Sequence, residues 1–207
     1  MAQLEANTAI IAQYAKLARE AQFQGLFAVV SDPVDLLCRK VYAISNVDEQ
    51  GVWDGKGLAP EQVQGYGLGV MNSRAAYYAK ADERFAQFLK EGRAYGHHGS
   101  KLVIADSVAQ YNHALSVELT EKAAQANLEV RSLGYKPYIA PALSSAAIAI
   151  LLTLRGQWHY SANYLGGIYM GCKNRTTQYG VELEHLPLPT QLLNRIAEAR
   201  DELRLYQ

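Results

Sequence analysis

The sequence predicts an α+β fold: an antiparallel sheet packed with long helices, preceded by a helix–strand–helix piece that looks cut from a parallel sheet. Three observations point there. Apolar residues recur at helical spacing over long stretches, above all 113–133 and 140–154. Short strand-like segments crowd into 157–183. Residues 26–30, Leu-Phe-Ala-Val-Val, are wholly apolar, the pattern of a strand covered on both faces.

Leu4, Ile10, Ile11, Tyr14, Leu17, Ala18 and Ala21 fall on one face and predict an amphipathic helix over 3–21, which Gly25 ends. The apolar strand follows. Asp32 and Pro33 then read as a helix start, with a carboxylate at the N-cap and a proline where no N–H is needed. That helix fades near Asn46, and Asp48, Gly51, Gly55, Gly57 and Pro60 mark an extended surface loop. Residues 61–69 begin strand-like and turn glycine-rich, and the alanine-rich stripe of 70–89 predicts one long helix. Residues 93–96 and 102–106 predict a hairpin around His97-His98-Gly99. Leu115, Val117, Leu119, Ala123 and Leu128 anchor the helix at 113–133, and a very apolar one follows at 140–154. Strand-like pieces at 157–164, 166–171 and 177–183 lead into a last amphipathic helix at 190–205. A parallel sheet cannot consist of one strand. The run at 26–30 therefore implies neighbouring strands outside this chain, or a partner that covers it.

Composition narrows the function classes. With 207 residues, 49% hydrophobic and 19% charged, the chain is long and apolar enough for a substantial core and is not disordered. Twenty basic residues offset twenty acidic ones, and no basic face stands out, so no nucleic-acid partner is expected. Cys38 and Cys172 stand too far apart in sequence to suggest a zinc site or a disulfide framework, and His113, His159 and His185 lack ligand spacing, so no metal is expected. The longest apolar run, 146–154, is too short to span a bilayer, and no signal peptide is visible. The expectation is a cytoplasmic protein with no membrane contact. A hydrolase is disfavoured, because no G-x-S-x-G elbow occurs.

Three segments, in order, carry a resemblance. Leu4-x-x-Asn7-x-x-Ile10, Val29-Val30-Ser31-Asp32-Pro33-Val34-Asp35 and Gly92-Arg93-Ala94-Tyr95-Gly96-His97-His98-Gly99-Ser100 resemble, respectively, three parts of the lactate/malate dehydrogenase family. These are the helix after the mobile active-site loop, the V-S-N-P-V-D turn and the G-E-H-G-D turn. Leu133-Gly134-Tyr135 adds a weaker match to the family's K-G-Y. The resemblance covers nearly the whole chain, and it is to the carboxy-terminal, substrate-handling half of that family. It implies two parts: residues 1–60 as a remnant of the dinucleotide-binding domain, and residues 61–207 as the substrate-binding, catalytic domain. The amino-terminal Rossmann half is expected to lie outside this chain, since no G-x-G-x-x-G occurs and Gly65-Tyr66-Gly67-Leu68-Gly69 has the wrong spacing.

The implied activity is NAD-dependent interconversion of a 2-hydroxy acid and a 2-oxo acid, with this chain alone inactive. Such chemistry needs a proton donor at the carbonyl oxygen and a cation for the carboxylate. His98 matches the family's catalytic histidine, and His97 replaces a glutamate and reads as a bystander. The family places its carboxylate-binding arginine three residues after an aspartate that orients the histidine. One register puts Arg74 at the arginine and Met71 at the aspartate; the other puts Asn72 at the aspartate and Ala75 at the arginine. Neither keeps both. Asp32 stands where the family has an asparagine facing nicotinamide and substrate, which makes it a cofactor-side candidate, although a helix cap would also explain it. Pro137 falls where the family varies residues to choose substrates. The resemblance further implies a homodimer or homotetramer, and fourteen tyrosines suit interfaces and pocket rims alike. The alternative is a non-catalytic relative, a binding or assembly module that kept the core and lost the Asp/Arg pair.

Overall fold

The structure is a computed structural model describing residues 2–99, 101–135 and 140–206. Its first helix, α1 (Ala2–Glu20), leads through a short turn to β1 (Phe27–Val29) and then α2 (Val34–Ser45). Ala15 of α1 packs with Leu37, Cys38 and Val41 of α2 over Val29 and Val63, one small core beneath two helices. The loop after α2 is pinned at both ends. The Asn46 amide donates to the Leu58 carbonyl (2.9 Å), and Arg19 of α1 grips Asp54 through two hydrogen bonds of 2.7 and 2.5 Å.

That loop delivers β2 (Val63–Gly65), which pairs parallel with β1 in the register Phe27–Val63, Ala28–Gln64, Val29–Gly65. The apolar run at 26–30 is therefore a strand of a parallel pair, but a half-covered one. Val29 is buried, whereas Ala28 and Val30 are exposed. Gly65 has no room for a side chain, since a Cβ there would stand 2.5 Å from Val34 Cγ1 and 2.8 Å from Cys38 Sγ.

The long helix expected over 70–89 is broken. The helix α3 (Leu68–Ala81) stops at Asp82, whose φ of −136° is extended and whose carboxylate accepts the Arg84 N–H at 3.0 Å. A short polar side chain offers the backbone an alternative to the helical ladder. The resulting 3-10 turn (Glu83–Phe85) swings Phe85 fully into the core before the short α4 (Phe88–Glu91).

The hairpin β3 (Arg93–Gly96) and β4 (Leu102–Ala105) forms as expected. Side chains alternate along β4: Leu102 and Ile104 pack with Met71, Ala75 and Leu119, whereas Val103 and Ala105 pack with Leu192, Ala199 and Leu203. The sheet is thus covered by α3 and α5 (His113–Ser132) on one face and by α7 (Thr190–Leu205) on the other. The Asn112 side chain caps α5 by accepting the Leu115 N–H at 3.1 Å. The helix α6 (Ala140–Leu154) precedes β5 (His159–Tyr164), β6 (Tyr169–Thr177) and β7 (Gly180–Leu183).

All strands join one sheet in the order β1-β2-β5-β6-β3-β4, with β7 also on β6. Among the described residues only the β1–β2 pair is parallel. The strand β6 runs six residues beyond the expected boundary at 171 because Lys173 and Arg175 are not loop residues. They pair across the β6–β7 edge with Glu184 (2.9 Å) and Glu182 (2.8 Å). Between β2, β5, β6 and α6 lies a buried polar network. Gln64 donates to Asn163 (2.7 Å), the Tyr66 hydroxyl donates to Gln64 Oε1 (2.6 Å) and lies 3.0 Å from Thr153 Oγ1, and His159 Nε2 meets Thr153 and Ser161. With its polar atoms paired to one another, it fixes the register of the strands and is a structural unit.

Candidate active site

The site forms where the carboxyl end of β1, the first turn of α2, the start of α3 and the β3–β4 turn meet. Ligands in open α/β sheets sit at the carboxyl ends of the strands, so the location is the one the topology favours. The β3–β4 turn carries His98 there. Its Nδ1 lies 2.5 Å from Asp32 Oδ1, and its backbone N–H donates to Asp35 Oδ2 at 3.2 Å. Asn7 of α1 steadies the turn by donating to the Asp32 carbonyl at 2.6 Å. Gly67 lets the histidine come close, since a Cβ there would stand 3.1 Å from His98 Cβ and 2.8 Å from Val34 Cγ2.

This geometry corrects the helix-cap reading of Asp32. Pro33 is the N-cap residue of α2, and no side chain caps that end. The Asp32 carboxylate turns instead to the imidazole. With Nδ1 bound to an acceptor, the neutral ring carries its proton there and the second nitrogen is left to exchange one. That second nitrogen, His98 Nε2, is buried and has no hydrogen-bond partner among the described residues.

Arg74 sits half-buried on α3, with one guanidinium nitrogen 3.3 Å from the Ala123 carbonyl and 3.7 Å from Met71 Sδ. Burial pulls its pKa down, and the charge of Asp32, the partner of His98, opposes that fall in part. Met71 supplies no carboxylate, and Asn72 does not bond His98, whose Nδ1 belongs to Asp32. The orienting acid is therefore on the β1–α2 turn and not on α3. Pro137 lies outside the described residues.

Two contributors escaped the sequence reading. Asp35 is fully buried, and burial raises its carboxyl to about 7 despite the His98 N–H that it accepts. Its signal was its place in the first helical turn, three residues before the equally buried Cys38. Asn7 belonged to a recognised segment, but nothing in the sequence told that its amide would reach the turn at Asp32. The neighbouring His97 is half-buried near Glu202 and Lys101, and burial lowers its pKa. Among the described residues, no three His, Cys, Asp or Glu side chains converge to hold a metal. No helix among them is long and apolar enough to cross a membrane.

No protein-family model and no curated protein matches the sequence. Solved structures do match. The malate dehydrogenase from Aeropyrum pernix aligns with TM-score 0.75 at 18% identity, over 100% of this chain and 72% of that one. The malate dehydrogenase from Archaeoglobus fulgidus in complex with NADH aligns with TM-score 0.74 at 16% identity, over 97% of this chain and 66% of that one. A lactate dehydrogenase from a Medee basin deep-sea metagenome library aligns with TM-score 0.71 at 19% identity, over 98% and 69%. The fold is thus the one that malate and lactate dehydrogenases share. The chain spans about two thirds of the length of the structures it matches.

Proposed function

We propose that this chain is the substrate-handling part of an NAD-dependent 2-hydroxyacid dehydrogenase of the lactate/malate type. The observation that carries the reading is the His98–Asp32 pair, whose Nε2 is buried without a hydrogen-bond partner among the described residues, with the Arg74 cation near enough to feel the Asp32 charge. In the reducing direction His98 Nε2–H donates a proton to the ketone oxygen of a 2-oxo acid, and Asp32 stabilises the imidazolium before transfer. In the oxidising direction the neutral Nε2 takes the hydroxyl proton back. Arg74 offers its planar fork to the substrate carboxylate, and its half-buried setting strengthens that attraction.

The residues described do not fit a whole dinucleotide. Gly65 and Gly67, the nearest to a phosphate-binding turn, are filled from behind by Val34, Cys38 and His98 and leave no cradle. A nicotinamide supplies the hydride in this class of reaction, and its phosphates need a binding turn from elsewhere. We further propose a cytoplasmic homodimer or homotetramer. Leu133 at the end of α5 and Ile148, Leu151 and Leu154 on α6 are exposed apolar surface suited to such contacts.

The test is a steady-state assay of the native assembly with NADH and a panel of 2-oxo acids, with His98→Ala as control. Turnover that disappears in the variant supports the reading. Absence of both turnover and NADH binding overturns it and leaves a binding or assembly module.

A further inference from the structure

Two acidic side chains from the β1–α2 segment reach His98, and they hold different parts of it. Asp32 meets the ring at Nδ1 (2.5 Å), whereas Asp35 accepts the main-chain N–H (3.2 Å). The first contact fixes how the ring is turned. The second ties the β3–β4 turn to the first turn of α2, and so fixes where the histidine stands. Their settings differ as well: the Asp32 side chain is 45% exposed, and Asp35 is buried. The titratable groups that face Asp35 are His98 from the β3–β4 turn, Asp32 from the end of β1 and Cys38 from its own helix. The other elements bring no charge to this turn of α2. Next to Val34 and Cys38, β2 and the start of α3 present Gly65 and Gly67, and α1 presents the neutral amide of Asn7 to Asp32.

We infer that Asp35 is a positioning residue for proton transfer at His98: it anchors the main chain of the β3–β4 turn, and the charge on its carboxyl is coupled to the charge on the imidazole. The transfer itself rests on the proposed dehydrogenase reading; the anchoring and the coupling rest on the contact alone. A charge in so dry a place acts strongly on its neighbours. Desolvation raises the Asp35 carboxyl to about 7, and the His98 charge holds it below where burial alone would leave it. Asp35 therefore changes charge near neutral pH, in contact with the residue that the proposed reaction uses as acid and base. Such coupling is reciprocal. An imidazolium eases proton loss from Asp35, and an ionised Asp35 favours the imidazolium. Reduction of a 2-oxo acid starts from the imidazolium, so the ionised carboxyl supports that direction as pH rises through about 7. An acid that only stabilised the first turn of a helix would not titrate together with His98.

The experiment follows the Asp35 carboxyl by carbon-13 NMR through a pH titration of the native assembly, with Asp35→Asn to assign the signal. The comparison is His98→Gln, which keeps the main-chain N–H and removes the ring charge. The expected result is a midpoint of about 7 in the wild type that rises by roughly half a pH unit or more in His98→Gln. Kinetics of 2-oxo acid reduction give a second readout. Asp35→Asn keeps the acceptor and loses the charge, so the ratio of wild-type to variant kcat should climb roughly threefold or more between about pH 6 and about pH 8. Asp35→Ala loses the acceptor too, and should lower kcat roughly 10- to 100-fold at every pH with little change in KM. A midpoint unmoved in His98→Gln, or matching pH profiles for wild type and Asp35→Asn, would overturn the inference. Should Asp35→Ala fail to fold, those two comparisons still decide, because Asp35→Asn conserves shape. A moved midpoint in an assembly without turnover would sink the enzymatic reading and leave the anchoring and the coupling standing.

Discussion

Asp32 Oδ1 lies 2.5 Å from His98 Nδ1, although 66 positions separate the two residues in sequence. The contact joins the end of a parallel strand to the turn of an antiparallel hairpin. It exists because β1 and β3 belong to one sheet and because Gly67 leaves the imidazole room. It also moves the orienting carboxylate off α3, where Met71 stands, to the β1–α2 turn.

Asp32→Asn should lower kcat of the native assembly by roughly 10²- to 10⁴-fold, because an amide can hold the ring in the wrong tautomer and does not stabilise its cation. Steady-state kinetics against 2-oxo acids check this. A loss under threefold would mean that the pair is structural only.

Arg74→Leu should act mainly on substrate affinity. Removing a partly buried cation from a bound carboxylate costs about 2–5 kcal/mol, so KM should rise far more than kcat falls. Arg74→Lys should recover only part of the loss, since an ammonium cannot make two parallel bonds. Equal KM values for wild type and Arg74→Leu would remove Arg74 from the site.

The buried Asp35 carboxyl sits at about 7 in the folded protein, against an ordinary 3.8, chiefly through desolvation. The folded state therefore keeps a proton that the unfolded state gives up between those values. Stability from this group is fully present below the ordinary value and is lost as pH rises through about 7. Asp35→Asn, which still accepts the His98 N–H, should be less pH-sensitive. Urea titrations at pH 4 and pH 8 should show the variant gaining on wild type with rising pH, by on the order of 4 kcal/mol at most. A constant difference would contradict the shift.

Phe85→Ala should destabilise the fold by about 3–5 kcal/mol, because the ring is wholly buried among α3, β4 and α5 and its removal leaves a cavity. Chemical denaturation measures it. A change below 1 kcal/mol would mean that the 3-10 turn repacks.

Much of this architecture was legible in the residues. The helices over 2–20, 113–132, 140–154 and 190–205 follow their apolar stripes, and the hairpin at His97-His98-Gly99 follows its turn chemistry. The departures have local causes. Asp82 interrupts α3 by capping the next turn, and the polar end of β6 is a strand because its charges pair across to β7. At the candidate site, His98 and Arg74 stand out in the sequence by type and place, since imidazole and guanidinium are the groups the proposed chemistry would need. The partner of His98 could not. Asp32 looked complete as a helix cap, and only the tertiary meeting of two turns shows where its carboxylate goes. Asp35 was hidden for the same reason, as burial across 63 residues is not a local property.

The most direct test of the central claim is the nitrogen-15 NMR spectrum of the His98 imidazole near neutral pH, recorded for wild type and Asp32→Asn, with His98→Ala to assign the signals. The account predicts a ring protonated at Nδ1, its proton shifted far downfield by the Asp32 carboxylate, and loss of that signal in Asp32→Asn. A neutral ring protonated at Nε2, or a spectrum unchanged by the substitution, would contradict it.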